Sequence, residues 1–169
     1  MNYMKIKNFS ELLFQFITAS FIGWLYEIIT VYIMYNTYYD RGVLHLPLCP
    51  IYGFGMLMLY TVLRKVKNGL LYFSGSVIIT TLLELCVSYI AEYKFGVILW
   101  SYEDWPLNFQ NRISVISSCI FGLLAVGFVK IIKPGIDSVF GKYPLKYTAG
   151  STLFLAGFCV VWELLIYFK

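Results

Sequence analysis

Three glutamates lie where a carboxylate is hardest to accommodate. Glu27 sits in Gly23-Trp24-Leu25-Tyr26-Glu27-Ile28, Glu84 in Leu82-Leu83-Glu84-Leu85-Cys86 and Glu163 in Val161-Trp162-Glu163-Leu164, each within a long apolar run. An acidic side chain near the middle of a membrane-crossing helix costs about 2.5–3.5 kcal/mol on insertion scales, so each needs a partner. Arg41 and Arg112 are the expected counter-charges, since a guanidinium can fork two hydrogen bonds onto one carboxylate. Such a set supports recognition of a small polar or amphiphilic ligand, with Glu27 and Glu84 taking a cationic group and Arg41 or Arg112 an anionic one. The same charges also support a second outcome with no ligand, in which they pair and tie helices together.

The stretch 41–55 concentrates further chemistry: Arg41, the chain's single histidine His45, Pro47, Cys49, Pro50, Tyr52, and the glycines 42, 53 and 55. The two prolines remove backbone donors and bias Leu46 and Cys49 away from the helical region, so ordinary helix is not expected to run through it. A thiol and imidazole pair, Cys49 with His45, is conceivable as a nucleophile, but the prolines break the register that would align it, and no catalytic residue is assigned. A second varied stretch carries Trp100, Tyr102, Trp105, Asn108 and Arg112. The plain reading of such rings is an interfacial belt, with apolar bodies and polar tips at headgroup level. The candidate ligand-contacting set is therefore Glu27, Arg41, His45, Tyr52, Glu84, Trp100, Tyr102, Asn108 and Arg112.

Cys49, Cys86, Cys119 and Cys159 are scattered without metal-ligand spacing, so no metal and no disulfide framework is expected. No Walker A, G-x-S-x-G, H-E-x-x-H or dinucleotide fingerprint occurs, and no cofactor is expected. ATP hydrolysis, if used, would come from a separate subunit.

Apolar helices must position these residues. The chain has 169 residues, 60% hydrophobic and 13% charged, against about 25% charged in a typical soluble domain. That leaves too little polar side chain to coat a water-facing surface, and an all-α, polytopic helix bundle follows, a single membrane domain over 1–169. About 20 apolar residues cross the hydrocarbon, and on that ruler five spans are expected, near 12–35, 49–63, 70–91, 113–132 and 147–168. The second is short, and its glycine-rich start is expected to be broken or tilted. Lys5 and Lys7 before the first span superficially resemble a signal peptide, but the apolar run continues too far, and it reads as a retained span.

Charge sets the expected orientation. The formal net charge of +4 reflects Lys and Arg in short connections, where they act as orientation signals; no nucleic-acid partner is expected. Lys5 and Lys7, then Arg64, Lys65 and Lys67, then Lys130, Lys133, Lys142 and Lys146 fall on one face of a five-span chain, which the positive-inside rule makes cytoplasmic. The N-terminus is then inside, the irregular connections lie on the extracytoplasmic face of the cell membrane, and the three glutamates fall in the outer half of their spans. The expectation is a polar chamber lined by Glu27, Glu84 and Glu163 and roofed by 41–52 and 100–112. Ala19-x-x-x-Gly23 and Ser118-x-x-x-Gly122 permit close helix contacts, within one chain or between copies.

The ordered residues Gly23-Trp24-x-Tyr26-Glu27, Arg41-Gly42-x-Leu44-x-x-Pro47-x-Cys49-Pro50-Ile51-Tyr52-Gly53, Leu83-Glu84 with Ser88-Tyr89, and Trp100-x-Tyr102 through Pro106-Leu107-Asn108 to Arg112 resemble the ABC-transporter type IV family, the CmpB-like multi-span membrane proteins. The resemblance covers most of the chain and implies a permease-like transporter component, with a separate ATPase subunit or a second copy of the chain as partner in the bilayer. Three positions depart from the family pattern: Ser101 where an aspartate usually lies, Leu46 where glycine is common before the proline, and Asn111 where glycine is common before the arginine. Loss of the aspartate removes an acidic group from the expected roof. Two readings from other classes stand beside transport: a membrane enzyme acting at the outer face on a lipid or lipid-linked substrate, and a structural or regulatory membrane subunit.

Overall fold

The computed structural model describes residues 3–38 and 46–167, with 3–7, 163 and 165–167 described by their backbone alone. The chain is 77% helical. In order, the elements are α1 (Tyr3–Tyr35), α2 (Pro50–Val62), α3 (Gly69–Phe95), β1 (Asn108–Phe109), β2 (Ile113–Ser114), α4 (Val115–Gly127), a π-helical turn (Phe128–Ile132), α5 (Lys133–Lys142) and α6 (Leu145–Tyr167). Among the described residues, four helical runs are long and apolar enough to cross a membrane: Asn8–Tyr35, Gly69–Phe95, Val115–Lys142 and Leu145–Trp162. At 13 residues, α2 is about 20 Å long, short of the roughly 30 Å of hydrocarbon.

Two features differ from the sequence expectation. Helix does run through the last part of 41–55: α2 begins at Pro50, whose missing N–H is harmless at a first position, and continues unbroken past Gly53 and Gly55. The segment after residue 132, read as a connection, is also helical to Lys142. Pro134 would clash with the carbonyl four residues back in a regular helix; the wider turn at Phe128–Ile132 precedes it and absorbs the misfit. The helix ends at Tyr143, extended (φ −98°, ψ 147°) as the residue before Pro144 prefers.

Contacts divide the chain into two units, one of Met1–Met56 with Ile131–Lys169 and the other of Leu57–Lys130. In the first, α1 packs on α6 and α5, and the start of α2 lies against α1, where the Cys49 amide donates to the Ser20 carbonyl at 3.0 Å. Its interior holds Ser10, Gln15, Ser20, Thr148 and Thr152. The hydroxyls of Ser20 and Thr152 bond back to the carbonyls of Phe16 and Thr148, both at 2.8 Å, which satisfies them within their own helices. Gln15 is less well served: its amide nitrogen donates to Glu11 at 3.2 Å, while its Oε1 is buried without a hydrogen-bond partner. An unsatisfied buried acceptor costs about 1–3 kcal/mol. Gln15→Met should therefore hold or raise the melting temperature in detergent, and a fall of more than a few degrees would refute this account.

In the second unit, α3 packs along α4. Asn68 caps α3 by accepting from the amides of Leu70 (2.9 Å) and Leu71 (3.1 Å), and Gly96 ends it at φ 66°, its N–H returning to Ala91 and Glu92. Leu59, Leu63 and Tyr72 form the unit's buried apolar cluster, with Val66, Ile79, Ala125, Val126 and Val129 against it. The antiparallel strands β1 and β2 pair Asn108 with Ser114 and Phe109 with Ile113. Their connection bends through Gln110 (φ 51°) and Asn111 (φ 57°), closed by the Arg112 amide donating to the Phe109 carbonyl at 3.0 Å. Both central residues of this turn have positive φ, and Arg112 follows as a third connecting residue before the Phe109–Ile113 pair. Among the described residues this hairpin is the one addition to the all-α expectation, and it returns the chain from α3 to α4.

Candidate functional site

The first unit brings Glu27 and Tyr52 together. The Tyr52 hydroxyl donates to Glu27 Oε1 at 2.7 Å, and the Tyr52 ring meets Tyr26 edge-on at 6.2 Å. The approach depends on Gly23: a Cβ there would lie 2.2 Å from Cγ of Tyr52. Gly53 plays the reciprocal part, with Phe16 and the Ser20 hydroxyl 2.5 Å from where its Cβ would be. The glycines of α1 and α2 thus let the two backbones approach until a tyrosine from one reaches a carboxylate on the other. Arg41 and His45 lie outside the described residues, as does the side chain of Glu163.

The second unit builds a larger constellation at the C-terminal half of α3. Glu84 is 3% exposed, and its Oε1 accepts from the Tyr102 hydroxyl at 2.5 Å. Tyr102 is itself buried, held by its amide donating to the Asn111 carbonyl at 2.8 Å and by Trp105, edge-on at 5.4 Å. Arg112 donates to the Ser88 hydroxyl at 2.9 Å, pairs with Glu92, and places its guanidinium 4.2 Å from the centre of the Tyr89 ring. Tyr89 in turn donates to Gln110. Trp100 donates its indole N–H to the Arg112 carbonyl at 2.9 Å. Asn108 serves the turn: its amide donates to the Trp105 carbonyl at 3.0 Å and its Oδ1 accepts from the Asn111 amide at 3.2 Å.

The sequence set is thus brought into two groups, Glu27 with Tyr52, and Glu84 with Trp100, Tyr102, Asn108 and Arg112. Glu92 was missed. It sits at the end of an apolar run, where a charge looks like an ordinary interfacial residue, and only the hairpin brings Arg112 back to it. The signal that could have found it is periodic: Tyr72, Ser76, Thr80, Glu84, Ser88 and Glu92 recur at every fourth position of α3. That series covers about 30 Å of helix, and Tyr72, Ser76, Glu84 and Ser88 are buried.

A family model described as "Putative ABC-transporter type IV" matches residues 14–166. The chain belongs to the ABC-transporter type IV family. Comparison with curated proteins and with solved structures gives no significant match. Membership in the ABC-transporter type IV family and the four apolar helices fit a multi-pass membrane protein that serves as a transporter component. Both constellations fall inside the matched residues.

Proposed function

We propose that this chain is the membrane-embedded, permease-like component of a transporter in the cell membrane, and that the Glu84, Tyr102 and Arg112 constellation receives a small polar or amphiphilic solute bearing a cationic group. The observation that carries this reading is Glu84 itself: a carboxylate 3% exposed, in an apolar helix of 27 residues, oriented by a phenol from a loop. Intramembrane ionisable residues of this kind mark ligand and ion pathways. In the proposed topology the N-terminus is cytoplasmic, the chain crosses five times with the short α2 making its crossing through a locally thinned bilayer, and the loop before β1 faces outward. The basic connections on the inner side support it. Glu27 with Tyr52 is proposed as a second contact of the same chemistry, and a separate ATPase subunit as the energy-supplying partner.

The test is a panel of small cationic and zwitterionic solutes, screened for stabilisation of the purified full chain in detergent. Glu84→Gln keeps side-chain volume and an acceptor for Tyr102, so it should melt within a few degrees of wild type and lose stabilisation by any hit. Tyr102→Phe removes a hydrogen bond to a charged group, worth about 1.5–3 kcal/mol, and should lower both stability and affinity. Hits that stabilise Glu84→Gln as strongly as wild type would sink the proposal. Collapse of the Glu84→Gln fold would favour the structural-subunit reading instead.

A further inference from the structure

The opposite end of the second unit carries a feature that solute recognition at Glu84 does not use. The turn between α2 and α3 reads Leu63-Arg64-Lys65-Val66-Lys67-Asn68. Leu63 is buried and Val66 packs on the same apolar cluster, and the Val66 amide closes the turn on the Leu63 carbonyl at 2.9 Å. Two apolar anchors therefore fix the turn while Arg64, Lys65 and Lys67 stay exposed around them. A fourth cation comes from a distant part of the sequence. Lys130, in the π-helical turn, places its Nζ 3.3 Å from where a Gly69 Cβ would stand, at the first residue of α3.

Four cations therefore meet at one helix end, and nothing acidic in the unit answers them. Its acidic residues are Glu84, Glu92, Glu103 and Asp104; the first is already about 22 Å along α3 from Gly69, and the others follow it. The cations repel one another, and the carbonyl end of α2 at Val62 offsets the positive end of the α3 dipole and no more. An anion is what the position lacks. The surroundings specify its kind: Val62, Leu70 and Leu71, directly beside the cations, are exposed apolar side chains, a surface suited to acyl chains and unsuited to a free ion or an acidic protein.

We propose that Arg64, Lys65, Lys67 and Lys130 form a binding site for the phosphate of an anionic phospholipid whose acyl chains lie along Val62, Leu70 and Leu71. The fixed turn and Lys130 hold the headgroup, and the lipid neutralises the end of α3.

The experiment measures thermal stability of the full chain in mixed micelles containing dioleoyl-phosphatidylglycerol, dioleoyl-phosphatidylcholine, or inorganic phosphate at equal phosphate concentration. Phosphatidylglycerol should stabilise the wild type in a salt-sensitive way, and the other two should not. Each neutralised cation near a membrane surface weakens attraction about fivefold, so Lys130→Gln should need about five times more phosphatidylglycerol for the same protection. The triple variant R64Q/K65Q/K67Q should need about a hundredfold more, and Lys130→Arg should behave as wild type. All four positions are exposed, and unchanged melting in phosphatidylcholine verifies that the variants fold. Equal protection by phosphatidylcholine, equal protection by inorganic phosphate, or unchanged response in Lys130→Gln and the triple variant would each overturn the proposal. Protection by an acidic peptide in place of phosphatidylglycerol would assign the patch to a protein partner and overturn it too.

Discussion

Gly23→Ala should be the most damaging single methyl group in the first unit. The added Cβ would stand 2.2 Å from Cγ and Cδ2 of Tyr52 and 2.7 Å from its Cβ, so the clash is with the root of the side chain, where rotation gives no relief. The start of α2 has to move, and the Tyr52 hydroxyl then leaves Glu27 Oε1, now 2.7 Å away. Overpacking of this kind costs about 1–3 kcal/mol, and loss of a hydrogen bond to a charged group about 1.5–3 kcal/mol more. A melting temperature lower by about 5–24 °C is expected, taking roughly 2–4 °C per kcal/mol for a chain of this size. Tyr52→Ala in the Gly23→Ala background should relieve the contacts with Cγ and Cδ2 and not the one with Cβ at 2.7 Å, so it should recover part of the overpacking and none of the hydrogen bond, a coupling that a double-mutant cycle isolates. Gly150→Ala and Gly157→Ala, where nothing lies within 4 Å, are the controls and should be neutral or slightly stabilising. If Gly23→Ala melts with them, the tight crossing of α1 and α2 is wrong.

Gly122→Ala is the corresponding change in the second unit, and it should separate α3 from α4. Its Cβ would fall 2.6 Å from Cγ2 of Val77 and 2.9 Å from Cε2 of Phe73. A β-branched valine on a helix has essentially one rotamer and cannot swing aside. One turn away, the Thr81 hydroxyl donates to Ser118 at 2.7 Å, and a shift of either helix breaks that bond as well. The expected loss is about 2–3 kcal/mol, partly restored by Val77→Ala. Because Glu84 lies on the same helix, solute protection in the panel above should weaken along with stability. A normal melting temperature for Gly122→Ala would contradict the packing described here.

Both glycines were legible before any coordinates, through Ala19-x-x-x-Gly23 and Ser118-x-x-x-Gly122, but spacing alone left open whether they serve contacts within the chain or between copies. Within each unit the glycine meets the same chain, Gly23 against Tyr52 and Gly122 against Val77. The apolar helices and the embedded carboxylates were equally legible, because hydropathy and the cost of burying a charge are local properties. What could not be read were the events that depend on register. A π-helical turn leaves no composition signature, so the proline after it looked like a break. The pairing of Arg112 with Glu92 depends on a three-residue connection, Gln110 to Arg112, whose two positive φ angles fall on residues other than glycine. Asn111 stands at a position where φ is 57°, and asparagine is among the few residues that enter this region readily.

The four-residue series of α3 has a geometric consequence. A step of four residues overshoots one turn by about 40°, so the line from Tyr72 to Glu92 coils around the helix by about 200° and ends on nearly the opposite side from where it began. A single neighbouring helix can shield only part of such a spiral. Its lower end is covered by the apolar cluster of Leu59, Leu63 and Val126, and its upper end by Tyr102 and Arg112 from the loop and hairpin. The loop is therefore the second half of a wrapping that α4 begins, and shortening it would bare Ser88 and take Arg112 away from Glu92 while leaving the Tyr72 end untouched.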